Sequence, residues 1–201
     1  MSILAAAAVA AGVASVQGYI FYQGRRIARD PHRYPELKTR ARPPWLLRIG
    51  HFDTQAGRLT ERGFVELGTM VEALGGFRVA SRVFYDPSQT TYAGLYSRVG
   101  VASLSFITEL ADGRIVYTGN ARAPLVRYGR LYEQGLAATL TRKLQAHRGL
   151  LQRVRDRPRD ATTVPEPIDE PMGTMNHRLA LTRRYYIERF SAPPNQAPST
   201  F

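Results

Sequence analysis

Four histidines are the residues of this chain best suited to acid–base or metal chemistry, and none has a partner at a useful spacing. His32, His51, His147 and His177 lie far apart, and no HxxxH or HExxH pair occurs. The chain has no cysteine, which excludes a disulfide framework, thiolate metal sites and Cys nucleophiles. We therefore predict no metal site, and the sequence implies no cofactor.

The other reactive side chains fit local structural roles. His51 and Asp53 can share one side of an extended segment, but they lack a third ligand or a nucleophile. His147 falls on the apolar face of a predicted helix, where a hydrogen-bonded core histidine is the usual outcome. Asp112 suits a turn, and Glu109 beside it makes a nonspecific pair of acids. No nucleophile-elbow, phosphate-loop, dinucleotide or calcium-loop motif occurs. We assign no catalytic residue and lean against an enzyme.

The positive charge of the chain is concentrated in two segments. The net charge is +12, yet residues 43–120 are neutral. Residues 25–42 carry seven basic residues against two acids, and residues 121–160 carry ten against three. A basic surface predicts an anionic partner, such as lipid headgroups or nucleic acid, and does not define a fold.

The first uncharged segment, residues 2–22, has the length of a membrane span. As a helix it measures about 30 Å, which matches the hydrocarbon core of a bilayer. Aromatic residues end it and arginines follow: Tyr19, Phe21 and Tyr22, then Arg25, Arg26 and Arg29. This pattern predicts a single-pass anchor over residues 1–24, with the N-terminus outside and the following domain in the cytoplasm. Seven alanines make the segment only marginally apolar, so a cleaved signal peptide and a soluble helix remain alternatives.

Small residues recur at four-residue intervals along the same segment. They form two stripes, Ala7, Ala11 and Ser15 on one and Ala10, Ala14 and Gly18 on the next. Such stripes allow close approach of helices in a bilayer and indicate self-association or a partner helix. They also arise by chance in an alanine-rich segment.

The central part of the chain predicts a small α+β domain. Apolar residues between Thr60 and Leu74 recur at helical spacing, and Gly75-Gly76 ends that pattern. Four strands are predicted at 77–85, 91–98, 101–110 and 114–118, joined by short turns that favour an antiparallel meander. A long helix is predicted from about Arg130 to Val154. Helix, four-stranded meander and long helix make a two-layer fold with helices on one sheet face.

The remaining segments divide the chain around this domain. The domain is assigned to residues 45–155 and is preceded by a basic, Pro-rich juxtamembrane linker, 25–44. A second Pro-rich linker is assigned to 156–173, a short amphipathic helix to 174–190 and a disordered tail to 191–201.

The leading functional prediction is a membrane-anchored protein with a non-catalytic interaction or assembly domain. A tethered basic helix lies near the anionic leaflet, where even weak contacts become significant. The residues predicted to contact the membrane surface are Arg25, Arg26, Arg29, Arg142, Lys143, Arg148 and Arg153.

Two alternatives remain open. An enzyme or small-ligand domain would use the sheet face or an adjacent cleft, and would need an acid, a base and a nucleophile to converge there. A nucleic-acid binder would use an aromatic and basic sheet face, made of Tyr85, Tyr92, Tyr96 and Phe106 with Arg78, Arg82 and Arg98. The neutral charge of residues 43–120 and the lack of an RNP-like motif make nucleic acid an unlikely partner.

Overall fold

A computed structural model describes residues 22, 38–40, 50–74, 77–98, 101–120, 123–157, 171–191 and 195–196. Within these residues the chain forms one nine-stranded mixed sheet and three helices. The strands are β1 Lys38–Arg40, β2 Val65–Leu74, β3 Phe77–Asp86, β4 Thr91–Arg98, β5 Val101–Glu109, β6 Ile115–Gly119, β7 Ala123–Tyr128, β8 Leu131–Gly135 and β9 Asn195–Gln196. The helices are α1 Gly50–Thr60, α2 Leu140–Arg155 and α3 Met175–Ser191.

The sheet contains more than the predicted meander. Its order is β1-β2-β3-β4-β5-β6-β8-β7-β9, and β1 to β6 are sequential antiparallel neighbours. β8 then pairs with β6 in parallel, and β7 lies outside β8. The prediction of a four-stranded meander is therefore wrong. Its four segments are strands, β3 to β6, but they form the middle of a larger sheet.

The helix predicted over residues 60–74 is also wrong, because α1 ends at Thr60 and β2 begins at Val65. A bulge in β2 explains the misleading pattern. Glu66 pairs with Phe84, whereas Gly68 pairs with Val83, so one extra residue lies in β2, and Gly68 takes a φ of 133°. A bulge interrupts the alternation of inward and outward side chains, and the apolar residues of the segment then recur at helix-like intervals.

The helix predicted from Arg130 to Val154 begins later in the structure. Residues Leu131–Gly135 form β8, and α2 starts at Leu140. Leu131 and Tyr132 are buried because β8 lies between β6 and β7, so strand pairing overrides the helical apolar pattern. The rest of the predicted apolar face is confirmed, since Leu140, Leu144, His147, Leu151 and Val154 are buried.

Helices cover both faces of the sheet, so the predicted two-layer arrangement is wrong. Side chains from α1 and α2 pack with Phe84, Leu95, Leu104 and Phe106 on the face that we call the α2 face. Side chains of α3 pack with Val83, Tyr92 and Ile107 on the opposite face, the α3 face. The segment predicted as a separate amphipathic helix thus closes one side of the domain.

The predicted membrane anchor is corrected as well. Apart from Tyr22, residues 1–24 lie outside the described residues, as do Arg25, Arg26, Arg29 and both small-residue stripes. Among the helices that the structure describes, none is both long enough and apolar enough to cross a bilayer. We therefore withdraw the assignment of a single-pass membrane protein with a cytoplasmic domain.

The short edge strands come from segments outside the predicted domain. β1 lies in the segment assigned to the first linker and pairs with residues 69–71 of β2. β9 lies in the segment assigned to the tail and pairs with Val126 and Arg127 of β7.

Candidate functional site

A carboxylate, an imidazole and a phenol meet on the α3 face. Glu109 ends β5, Tyr92 lies near the start of β4, and His177 lies in the first turn of α3. His177 Nε2 is 3.1 Å from Glu109 Oε2, and His177 Nδ1 is 2.7 Å from the Tyr92 hydroxyl. All three residues are buried, with 1–4% of their surface exposed. We call them the Glu–His–Tyr trio.

The loop before α3 fixes the position of the trio. The Thr174 hydroxyl accepts the His177 backbone N–H at 3.1 Å, as an N-cap residue does. The Gly173 N–H donates to the Tyr92 hydroxyl at 2.7 Å. Gly173 has a φ of +88°, and a Cβ there would lie 2.9 Å from Tyr85 Cε1. Glycine is therefore required at this position by both backbone conformation and space.

The charge state of the trio follows from its surroundings. Burial alone would raise the pKa of the Glu109 carboxyl, but hydrogen bonds from His177 and Arg184 hold it below the ordinary value. Arg184 also donates to the Gly113 carbonyl at 2.8 Å, which anchors its guanidinium. Burial raises the pKa of Tyr92 to about 12, so its phenol is protonated at neutral pH. His177 contacts Glu109 Oε2 through Nε2 and the Tyr92 hydroxyl through Nδ1, so both of its ring nitrogens have a hydrogen-bond partner.

A second polar cluster lies further along α3. The Tyr185 hydroxyl donates to Glu133 Oε1 at 3.2 Å and accepts an N–H of Arg189 at 2.7 Å. Arg189 Nε is also 3.2 Å from Glu133 Oε2. The Tyr117 ring packs against Tyr185 at an interplanar angle of 40°, with ring centroids 4.5 Å apart. Burial raises the pKa of both Tyr117 and Glu133, and Arg189 partly offsets the effect on Glu133.

Small and hydroxylated residues line the sheet beside these clusters. Ser81 pairs with Tyr96, which pairs with Ser103, and Gly94 pairs with Ser105 on the next row. Alternation along the strands places them on the α3 face. The buried Arg178 side chain of α3 lies over this region, since a Cβ at Gly94 would be 3.8 Å from Arg178 Nη2 and 3.3 Å from Ser105 Oγ. We call Ser81, Gly94, Tyr96, Ser103 and Ser105 the polar patch.

The α2 face has its own buried polar residues. His147 Nε2 lies 3.0 Å from the Thr108 hydroxyl, and His147 Nδ1 lies 3.0 Å from the Thr118 hydroxyl. Burial lowers the pKa of His147 to about 3, so the ring is neutral. The prediction of a satisfied core histidine is confirmed. Lys143 is buried too, and its ammonium donates to the Leu104 carbonyl at 2.9 Å.

The residues predicted to contact a membrane surface divide into three groups. Arg142, Arg148 and Arg153 are exposed on α2. Lys143 points into the core beneath them. The remaining members of the set, Arg25, Arg26 and Arg29, fall outside the described residues.

The other candidate sets do not assemble as proposed. Asp53 pairs with Arg82 at 2.5 Å, while His51 is exposed and contacts Phe52. Tyr85 and Tyr92 lie on the α3 face, whereas Phe106 packs on the α2 face. The aromatic residues therefore do not form a single open surface. Asp112 serves the β5–β6 turn, where its carboxylate accepts the Arg114 N–H at 3.1 Å, as predicted.

Sequence reasoning did not connect the members of the Glu–His–Tyr trio. Glu109 and His177 are 68 positions apart, and Tyr92 and His177 are 85 apart. The only available signal is weak: a histidine three residues after a threonine at the start of a predicted helix. The contact depends on which sheet face α3 covers, and local patterns do not encode that choice.

Within the described part of the chain, no three side chains of the metal-binding types cluster. Comparison with protein-family models, with curated proteins and with solved structures finds no match to this chain.

Proposed function

We propose that this domain binds a small anionic molecule on the α3 face, between the polar patch and α3. One observation carries the proposal. The same three central strands, β3 to β5, bury an apolar surface on the α2 face and a hydroxyl-rich surface on the α3 face.

The two faces are equally buried, but serines interrupt the apolar residues of the α3 face, where Val83, Tyr92 and Ile107 are also buried. On the α2 face Phe84, Leu95, Leu104 and Phe106 are 0–7% exposed. On the α3 face Ser81, Ser103 and Ser105 are 2–6% exposed. Burying a hydroxyl costs about 1–3 kcal/mol unless a hydrogen bond compensates. A sequence selected for stability alone would place apolar residues at both sets of positions, so the polar patch favours a role in binding.

The charge of the region indicates the class of ligand. Arg178 is buried against the polar patch, and one of its guanidinium nitrogens donates to the Thr182 hydroxyl. Its positive charge acts on both Tyr92 and Tyr117, because it counteracts the rise in their pKa values. A guanidinium close to hydroxyl groups can hydrogen-bond a carboxylate or phosphate group.

The raised pKa and the hydrogen bonds of Tyr92 favour a binding role for the domain over nucleophilic catalysis. The trio meets the geometric requirement of a nucleophile, a base and an orienting acid. However, its phenol has a pKa raised to about 12 by burial, and its hydroxyl already accepts the Gly173 N–H. These contacts join β4, β5 and the start of α3, so we assign the trio to holding α3 over the polar patch.

Thermal unfolding with small anions tests the proposal. Inorganic phosphate and malonate, each titrated at constant ionic strength, are expected to raise the melting temperature of the full chain in a saturable way. A ligand at one hundred times its Kd stabilises the folded state by about 2.7 kcal/mol.

A double serine variant tests whether stabilisation by anions depends on the polar patch. Replacing both Ser103 and Ser105 by Ala is expected to weaken anion binding on the order of tenfold, because each lost hydrogen bond contributes about 1 kcal/mol. The ligand-free variant is expected to be less stable than the parent by about 1–3 kcal/mol, because Ser105 hydrogen-bonds the buried Tyr117. The shift in melting temperature on adding the anion is therefore compared within each variant. Ser191→Ala, at the exposed end of α3, is the control. The proposal fails if neither anion stabilises the parent, or if the double variant responds equally.

A further inference from the structure

The outer surface of α2 has an unusual charge composition. The helix contains five basic residues and no acid. Lys143 is buried, while Arg142, Arg148, Arg153 and Arg155 are exposed. This surface lies on the α2 face and is separate from the anion site proposed above.

The four arginines form two rows. At about 100° per residue, Arg142 and Arg153 fall within about 20° of each other around the helix, and so do Arg148 and Arg155. The rows are separated by about 140°, and their members lie about 10–16 Å apart along the axis. Between the rows lies a central strip of exposed residues, Gln145, Gly149 and Gln152.

The helix is held firmly with this strip facing outward. Its opposite side buries Leu144, Leu150, Leu151 and Val154 against the sheet. His147 adds two hydrogen bonds to Thr108 and Thr118 at 3.0 Å. The outer surface therefore presents a fixed arrangement of charges, so a partner does not need to order the helix on binding.

Two members of the arginine rows have contacts with other residues of the chain. Arg148 Nη2 is 3.6 Å from Asp86 Oδ2, and its side chain is 48% exposed. Arg153 Nε donates to the Gly149 carbonyl of its own helix at 3.2 Å. In the central strip, Gln152 donates to Asp156 at 2.9 Å in an exposed bond. The Asp86 carboxyl group is buried, so the Arg148 contact is partly screened from solvent, whereas the exposed bonds of Arg153 and Gln152 contribute little to stability.

The composition of the surface distinguishes between anionic partners. A helix that binds a lipid surface inserts apolar side chains below the headgroups, but the large apolar residues of α2 are buried in the core. The major groove of B-form DNA is about 12 Å wide and admits one helix. A helix with arginines on both flanks can contact the phosphates of both walls, and its glutamines then face the base edges.

We propose that the outer surface of α2 binds duplex DNA in the major groove, with the two arginine rows on opposite phosphate backbones. Arg142 and Arg153 contact one backbone, and Arg148 and Arg155 contact the other. Gly149, about 20° from Arg142 around the helix, leaves no side chain in the strip beside that row.

Fluorescence anisotropy with a labelled 16-base-pair duplex tests this proposal on the full chain. Four phosphate contacts predict a slope of about −3.6 for log K against log salt concentration. Replacing Arg142 and Arg153 by Gln is expected to weaken binding on the order of tenfold and to reduce the slope by about 1.8. Replacing Arg148 and Arg155 by Gln is expected to have the same effect.

Arg183→Glu is the matched control, because it changes the net charge by the same two units on the exposed side of α3. It is expected to change affinity less than twofold. An equal loss in the control would show that only net charge matters and would overturn the proposal. Binding of anionic phosphatidylserine vesicles but not of the duplex, or tighter binding of single-stranded than of duplex DNA, would also overturn it.

Discussion

His147 and His177 show how strongly the two sheet faces differ at the level of single residues. His147 lies between two threonine hydroxyls on the α2 face. His177 lies between the Glu109 carboxylate and the Tyr92 phenol on the α3 face. Both imidazoles have hydrogen-bond partners at both nitrogens, but only His177 has a buried carboxyl group beside it. The two residues therefore serve different roles, one in the core and one at the helix that covers the polar patch.

The buried His147 predicts a loss of stability in mild acid. Its pKa is lowered to about 3 in the folded protein, whereas an unfolded histidine has a pKa of about 6.5. Between these values the unfolded state binds the additional proton, so stability is full above about pH 6.5 and falls as pH decreases. The loss is about 1.4 kcal/mol per pH unit. Between pH 7 and pH 5, urea unfolding of the parent should lose about 2 kcal/mol more than that of His147→Gln. Parallel losses would contradict this prediction.

Lys143 predicts a rise of stability with pH as well, but in alkaline solution. Burial lowers its pKa to about 8 in the folded protein, below the unfolded value of about 10.4. Stability contributed at this position therefore rises as the pH increases from about 8 to about 10. Lys143→Met removes the buried charge and is expected to stabilise the protein at pH 7 by on the order of 1–2 kcal/mol. That advantage should shrink between pH 8 and pH 10 in chemical denaturation. An advantage independent of pH would show that burial of the ammonium is not the cause.

At the level of secondary structure, α2 and the turn after α1 provide a matched pair of glycines. Gly149 lies inside α2, and Gly63 has a φ of +87° in the turn. Both are exposed, and a Cβ added at either position meets no atom within 4 Å. The two positions thus differ in backbone conformation and not in available space.

Alanine substitutions at these glycines should therefore have opposite signs. Gly149→Ala is expected to stabilise the protein by about 0.5–1 kcal/mol, because alanine has the higher helix propensity. Gly63→Ala is expected to destabilise it by about 1 kcal/mol, because a positive φ strains a residue with a side chain. The unfolding temperature should rise by about 2–4 °C in one variant and fall similarly in the other. Shifts of the same sign would contradict the argument.

The elements that the sequence predicts correctly are those governed by local patterns. Alternating side chains and short flanking turns predict a strand at residues 91–98, and β4 occupies those residues. The predicted apolar face of α2 is confirmed from Leu140 onward. The errors at β2 and β8 have non-local causes. A bulge opposite Phe84 disrupts the alternating side-chain pattern of β2, and pairing with β6 makes the β8 segment a strand. The candidate site is missed for the same reason, because it requires the contact between β5 and α3.

At the scale of the whole molecule, the helices on the two faces of the sheet are attached by different kinds of contact and should differ in how easily they detach. α1 and α2 are attached to the sheet mainly through apolar side chains. The attachment of α3 includes buried polar contacts, among them the Glu–His–Tyr trio and the Tyr185, Glu133 and Arg189 cluster. Apolar contacts tolerate small displacements, whereas buried ion pairs lose much of their energy when one partner is removed. The two sides should therefore respond differently to a single polar substitution, and α3 should be the helix that can be released without unfolding the sheet.

Glu109→Gln tests this difference, because Glu109 is the carboxylate that both His177 and Arg184 of α3 contact. Removing one partner from a buried ion pair costs about 3–5 kcal/mol. Hydrogen exchange followed by mass spectrometry should show loss of protection in Met175–Ser191, while the strands β3 to β6 and Leu140–Arg155 keep theirs. Glu188→Gln is the control on the same helix, because Glu188 is less buried and accepts only the Arg130 backbone N–H at 3.0 Å among the bonds described. Its effect on α3 should be smaller. Equal loss of protection in the strands would mean that α3 and the sheet unfold as one unit. In that case the polar contacts of α3 would be part of a single cooperative core, and the proposed anion site could not open independently.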